Sequence, residues 1–260
     1  MTLYISTHHH GSAHLRVLGK TMSKLPRKIT PSPIVESVLE VRFSSPLPED
    51  AIFGVLYKEF KNDYPTFEQL PILQLPAAVR TQDPNLRFKP HYTTQKDHYV
   101  LQLGPRCFSI SNVEIYVGWA AFSERIFATY DRVNQSGVIA NIERIGLRYI
   151  NILEGVNVFD NSTIGVSLNK NVLTSKTNVS SQIPFDKGFC AINISSDTEA
   201  QLGGPNGKKV IGSVIDIDTV VNANEFNDVK LAIEYAHDIG KELFFNLLKE
   251  EYIQTLNPEY

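Results

Sequence analysis

Cysteine is nearly absent from this 260-residue chain: Cys107 and Cys190 are the only two, each set among apolar residues and far apart in sequence. Two such thiols fit a reduced interior better than a disulfide framework, and they point to a cytoplasmic protein. Long apolar runs are lacking as well. No stretch approaches the roughly 20 apolar residues that cross a bilayer as a helix, so no membrane association is expected. Neither sign of charge dominates, with 25 Lys and Arg against 28 Asp and Glu and a formal net charge of −3. That balance disfavours broad phosphate neutralisation as a source of affinity, and with it nucleic acid as a partner.

Catalytic signatures are missing too. There is no G-x-S-x-G elbow, no H-x-x-x-H pair in the body of the chain, and no cysteine at zinc-ligand spacing from His91, His98 or His237. The glycine-rich "LGGPNGKKVIGS" lacks phosphate-loop spacing and leads into a strand where a phosphate loop leads into a helix, so it reads as a turn. Neither a cofactor nor a native metal is expected. His8, His9 and His10, then Gly11-Ser12 and a second methionine at Met22, mark residues 1–21 as a leader or tag-like segment outside the fold. Lys20, Lys24, Arg27 and Lys28 follow as a small basic arm, read as solvated chain.

What is present is hydrophobic periodicity. "PSPIVESVLEVRF" alternates Val35, Leu39, Val41 and Phe43 with Glu36, Glu40 and Arg42, the pattern of a strand with one buried face. A helix with Ile52, Leu56, Phe60 and Tyr64 at four-residue spacing comes next, then a proline-rich stretch from Leu70 to Pro90 read as extended chain. "HYVLQLG" and "RCFSISN" form a hairpin, Trp119 to Val133 an amphipathic helix, and "IERIGLRYIN" (142–151) a strand that buries Ile145, Leu147 and Tyr149. After a polar region with one modest strand at Ile164 to Leu168, "GFCAINISS" and "KKVIGSVIDIDTVV" read as two strands joined by a long loop. A long helix then carries Phe226, Val229, Ile233, Ala236, Gly240, Leu243 and Leu247 on one stripe. The fold class is therefore α+β: antiparallel or mixed sheet with amphipathic helices on one face. It divides into an N-terminal half (22–155) and a C-terminal half (156–260), a pattern open to a duplicated unit.

Two clusters offer chemistry. Asp216 and Asp218 in "IDID" share a strand face and could share a divalent cation or divide acid and base roles, although no third ligand accompanies them; the plainer reading is a solvent-facing strand end. Arg144 and Arg148 lie four apart on one face of their strand, as Glu36 and Glu40 do on theirs. If the two strands are neighbours, cross-strand carboxylate–guanidinium pairs follow. The rival reading is a polar sheet face on which Arg42, Arg144 and Arg148 grip an anionic ligand in bidentate fashion.

"PIVESVLEVRF" and "GLRYIN", with "GPRCFSISN" and the Gly118-Trp119 helix start between them, resemble a sporadically distributed bacterial family defined by sequence rather than by activity. The resemblance implies a prokaryotic cytosolic protein and supplies no catalytic residues. Its scattered distribution is that of mobile defence or toxin–antitoxin cargo. The first functional expectation is thus a non-enzymatic regulatory protein acting through protein contacts, with a partner encoded by an adjacent gene or a second copy of itself. The second is a sensor of a small anionic or nucleotide-like ligand on the arginine face, and the third a metal-dependent hydrolase at Asp216 and Asp218.

Overall fold

The computed structural model describes residues 24–202 and 207–260; the leader at 1–21 lies outside them. Among the described residues the alternating segments become one antiparallel sheet of nine strands that runs through both halves of the chain. In chain order the elements are β1 (Ile34–Ser44), α1 (Glu49–Phe60), β2 (Glu68–Gln69), α2 (Ala77–Gln82), β3 (Tyr92–Lys96), β4 (Tyr99–Leu103), β5 (Cys107–Val113) and α3 (Trp119–Gln135). There follow β6 (Asn141–Glu154), α4 (Val158–Asn161), β7 (Ser167–Leu168), β8 (Asn171–Val172), β9 (Asn178–Phe185), β10 (Gly188–Leu202), β11 (Lys208–Val221), α5 (Val229–Leu247) and α6 (Glu250–Thr255). The sheet order is β2-β3-β4-β5-β1-β6-β11-β10-β9, and β7 and β8 form a separate small ladder.

Register decides which residues the helices cover. Leu39 stands opposite Ile110 and Leu147, and Val41 opposite Phe108 and Ile145, so the apolar half of each strand lands on one face. On that face α1 and α3 bury Ile52, Leu56, Phe60, Phe122, Ile126 and Val133 against the first-half strands. The long helix α5 contributes Ala232, Ile233 and Ala236 to the same cluster. Its later turns, through Ile239, Leu243 and Leu247, cover Ile192, Ile194, Ile215 and Ile217 of the second half. It lies close to β11 because residue 240 is glycine: a Cβ there would stand 2.8 Å from the Thr219 hydroxyl.

Several boundaries differ from the sequence reading. The proline-rich stretch holds a 3₁₀ turn over Pro71–Gln74 and the short helix α2, because Pro71 and Pro76 sit at helix starts, where a missing N–H costs nothing. β3 and β9 were not foreseen; β9 reads "NVSSQIPF" and sits at the sheet edge, where few apolar side chains are required. The expected long loop after "GFCAINISS" is short, since β10 continues to Leu202 through a register shift between Ser195 and Thr198. The final helix starts at Val229 and stops at Leu247, with α6 separate from it, and Phe226 lies before it.

Arg27 and Lys28 are not free arm residues. Strands of backbone pairing tie them to the C-terminus, Arg27 N–H donating to the Glu259 carbonyl at 2.6 Å and Glu259 N–H to the Lys28 carbonyl at 2.8 Å. The α5 cap is conventional: the Asp228 carboxylate accepts from the Lys230 N–H at 2.8 Å. Asp228→Ala is expected to cost about 1 kcal/mol, read as a Tm about 2–4 °C lower in a calorimetric scan.

Candidate functional site

The sheet face away from the helices carries the arginines. β1 and β6 are indeed neighbours, and Arg42 stands directly opposite Arg144. Two cations at that spacing repel, and Glu40 resolves the conflict: its Oε1 accepts from Arg42 Nε at 2.7 Å and from Arg144 Nη1. Arg144 Nη2 donates onward to Asp218 on β11, so one guanidinium bridges three central strands. Gly146 makes room for this: a Cβ there would lie 3.0 Å from Asp218 Oδ1 and 3.1 Å from Arg144 Nη2.

Arg148 departs from the expected pairing. Its fork closes on Asp216, with Nε to Oδ1 at 2.7 Å and Nη2 to Oδ2 at 2.6 Å, and Glu36 feels it only through space. Burial pushes the Glu36 carboxyl up, with Arg148 pulling against it. Hydrogen bonding to Asp216 raises the Arg148 pKa further. Asp216 and Asp218 are therefore not a solvated strand end. They lie on a central strand beside β6, each bound to an arginine, and among the described residues no group of three or more His, Cys, Asp or Glu is placed to hold a metal ion. The three arginines come together, as the ligand reading required, but each already donates to a carboxylate of this chain.

A different site lies on the helix side. A cavity of about 760 Å³ opens between the pinned 27–34 segment, the loop into α3, the sheet at Tyr149, Asn151 and Ile217, and the middle of α5. Its aromatic wall is assembled from three elements. Trp119, the only tryptophan, begins α3 and lies flat on the His237 imidazole of α5, with ring centroids 3.9 Å apart and planes 2° apart. The indole N–H donates to Glu234 Oε2 at 3.0 Å. Tyr149 of β6 places its hydroxyl 2.9 Å from His237 Nδ1, and Tyr116 meets Tyr149 edge-on.

No family model matches the chain, and no curated protein is similar to it. The cavity must be read from its own chemistry. Burial, with Lys241 adding to it, pushes the His237 imidazole down to about 3, so the ring is neutral at pH 7. Burial also raises both tyrosines, Tyr116 to about 12 and Tyr149 well above its ordinary value. The Tyr149 hydroxyl and a neutral imidazole thus share one hydrogen bond, and neither group is charged at pH 7. His237 reads from sequence as a core-edge histidine, and it is one; that it would meet Trp119 was not legible, because the two lie 118 positions apart.

The thiols offer nothing comparable. Cys107 and Cys190 are both buried and unpaired, and burial raises them, Cys190 to about 11, which keeps them protonated and unreactive. Among the described residues no helix is long and apolar enough to cross a membrane.

Proposed function

We propose that this protein is a non-catalytic ligand-binding regulator that takes a small organic molecule into the cavity between α5 and the start of α3. The observation that carries the proposal is the cavity itself: about 760 Å³ is in the range of small-molecule sites, and aromatic side chains with a few fixed polar groups wall it. The alternative sites support it less well. Arg42, Arg144 and Arg148 each already hold a carboxylate of this chain, and an anion on that face would have to compete with Glu40, Asp216 and Asp218 for them. Asp216 and Asp218 as metal ligands would face the same exchange.

The regulatory part of the reading rests on the family resemblance and on one feature of the surface. The β7–β8 hairpin exposes Leu168, Val172 and Leu173, apolar area that a protein partner would cover. An adjacent-gene product in a bacterial defence locus would be such a partner.

Trp119 supplies the test. Titration with N-phenyl-1-naphthylamine, a neutral aromatic probe, should quench the single tryptophan saturably with one site per chain. Ala120→Phe, which fills the cavity mouth from the first turn of α3, should abolish the effect. Quenching that is absent, or that survives Ala120→Phe unchanged, would remove the cavity as a binding site.

A further inference from the structure

The cavity's charge pattern narrows its ligand. Lys241 lies on the cavity wall one helical turn from His237, on the same face of α5. Among the described residues no carboxylate lies within salt-bridge distance of its ammonium group, although Arg27 and Lys28, on the same wall, are both paired with Glu259. Burial lowers the Lys241 pKa and Asp238 only partly offsets this, so Lys241 is an incompletely compensated cation beside an apolar space.

Two further features face the same space. Gly118, Trp119 and Ala120 line the cavity where α3 begins, and this 17-residue helix has neither a capping side chain nor an acid in its first turn. Its first N–H groups therefore carry the positive end of the helix dipole with no cap or acid of the helix's own to meet it. Asn151, 2% exposed, lines the cavity as well; its Nδ2 is spent on the Ile215 carbonyl at 3.1 Å, and among the described residues none donates to its Oδ1. An amide oxygen on a cavity wall can accept from a ligand's donor.

We infer that the ligand is an amphipathic organic acid: an apolar, ring-sized body bearing a hydrogen-bond donor for Asn151, and one anionic head group held by Lys241 beside the α3 amides. The inference rests on the proposed cavity function and adds the ligand's charge and polarity to it. The neutral imidazole of His237 and the Tyr149 hydroxyl it engages leave Lys241 as the group that decides between acid and neutral compound. Arg27 and Lys28 add positive potential at the rim while remaining paired to Glu259.

A matched pair of probes separates the two ideas. 1-Anilinonaphthalene-8-sulfonate and N-phenyl-1-naphthylamine share the same rings and the same arylamine N–H, and differ by the anionic group. Each is titrated into the full chain and into Lys241→Met, Lys241→Arg and Ala120→Phe, followed through Trp119. The sulfonate is expected to bind about tenfold more tightly than the neutral probe, to lose about tenfold in Lys241→Met, and to recover in Lys241→Arg. The neutral probe should bind equally to the wild type and all Lys241 variants. Equal affinities for the two probes, or equal losses on Lys241→Met, overturn the organic-acid inference and leave the cavity standing. Binding of both probes that ignores Ala120→Phe overturns the cavity reading itself. A Lys241 variant that melts early is judged by its neutral-probe affinity, which reports whether the cavity is intact.

Discussion

Arg144→Met is expected to lower the free energy of unfolding by about 2–3 kcal/mol at pH 7, measured by urea denaturation. Removing one partner of a fully buried ion pair costs about 3–5 kcal/mol, because the other partner is left desolvated and unpaired. The figure here is reduced because Arg144, Glu40 and Asp218 keep 21%, 27% and 26% of their side-chain surface, so water screens what remains. Asp218 would suffer most. Burial already raises its carboxyl, and Arg144 is the main influence opposing that rise. Without the guanidinium the Asp218 pKa climbs further, and such a group stabilises the fold below its unfolded pKa and loses that contribution as pH rises through the folded one. The penalty of Arg144→Met should therefore be smaller near pH 4 than at pH 7. Adding Asp218→Asn to Arg144→Met should recover part of the loss at pH 7. A double variant no more stable than the single one would show that packing of the arginine stem, not charge, sets the cost.

The same network shows how far sequence could be read. Alternation in "VLEVRF", interrupted only at Val38, and in "IGLRYIN" placed Leu39, Val41, Ile145, Leu147 and Tyr149 on the core face and the charged residues opposite; charges four residues apart on both strands made pairing possible if the strands were neighbours, which the sheet shows them to be. Partner choice did not follow. Glu40 reaches Arg144, but Arg148 takes Asp216, because β11 flanks β6 on its other side and only the sheet order reveals that. Strands such as β9 escaped because an edge strand covered on one side by β10 need not alternate cleanly.

The cavity was the least legible feature. Each of its walls was visible as a piece: the Gly118-Trp119 helix start, His237 and Gly240 on the α5 stripe, and the basic arm at Arg27 and Lys28. Their meeting depends on contacts made across more than 100 positions, and on a glycine that lets α5 press against β11. Periodicity reports which face of a helix is buried. It does not report where that burial stops short and leaves a space.

His237 gives that space a pH signature in the protein's own stability. Its folded pKa is pushed down to about 3, while an unfolded chain holds histidine near 6.5. Between those values the unfolded chain binds a proton that the folded chain refuses, so stability is present above about 6.5 and is lost as pH falls toward 3. One proton sets the ceiling: a slope of at most about 1.4 kcal/mol per pH unit from this group, which across even two units rivals any single contact in the fold. The groups around the ring favour its neutral form or are silent: Trp119 covers one face, the Tyr149 hydroxyl is hydrogen-bonded to Nδ1, and Lys241 repels a second charge. His91, also lowered by burial and by Arg80, adds a slope of the same sign. Glu36 and Asp218, raised by burial, act in the opposite direction just above 4.5 and 3.8. His237→Phe isolates the first contribution, because it keeps a flat ring on Trp119 and removes the titration. Urea midpoints converted to free energies at pH 7, 6, 5 and 4.5 should fall steeply in the wild type and much less steeply in His237→Phe, whose residual slope combines His91 with the shifted carboxyls. Parallel curves for the two proteins would mean that the imidazole takes its proton inside the fold and that the cavity is far wetter than its walls imply.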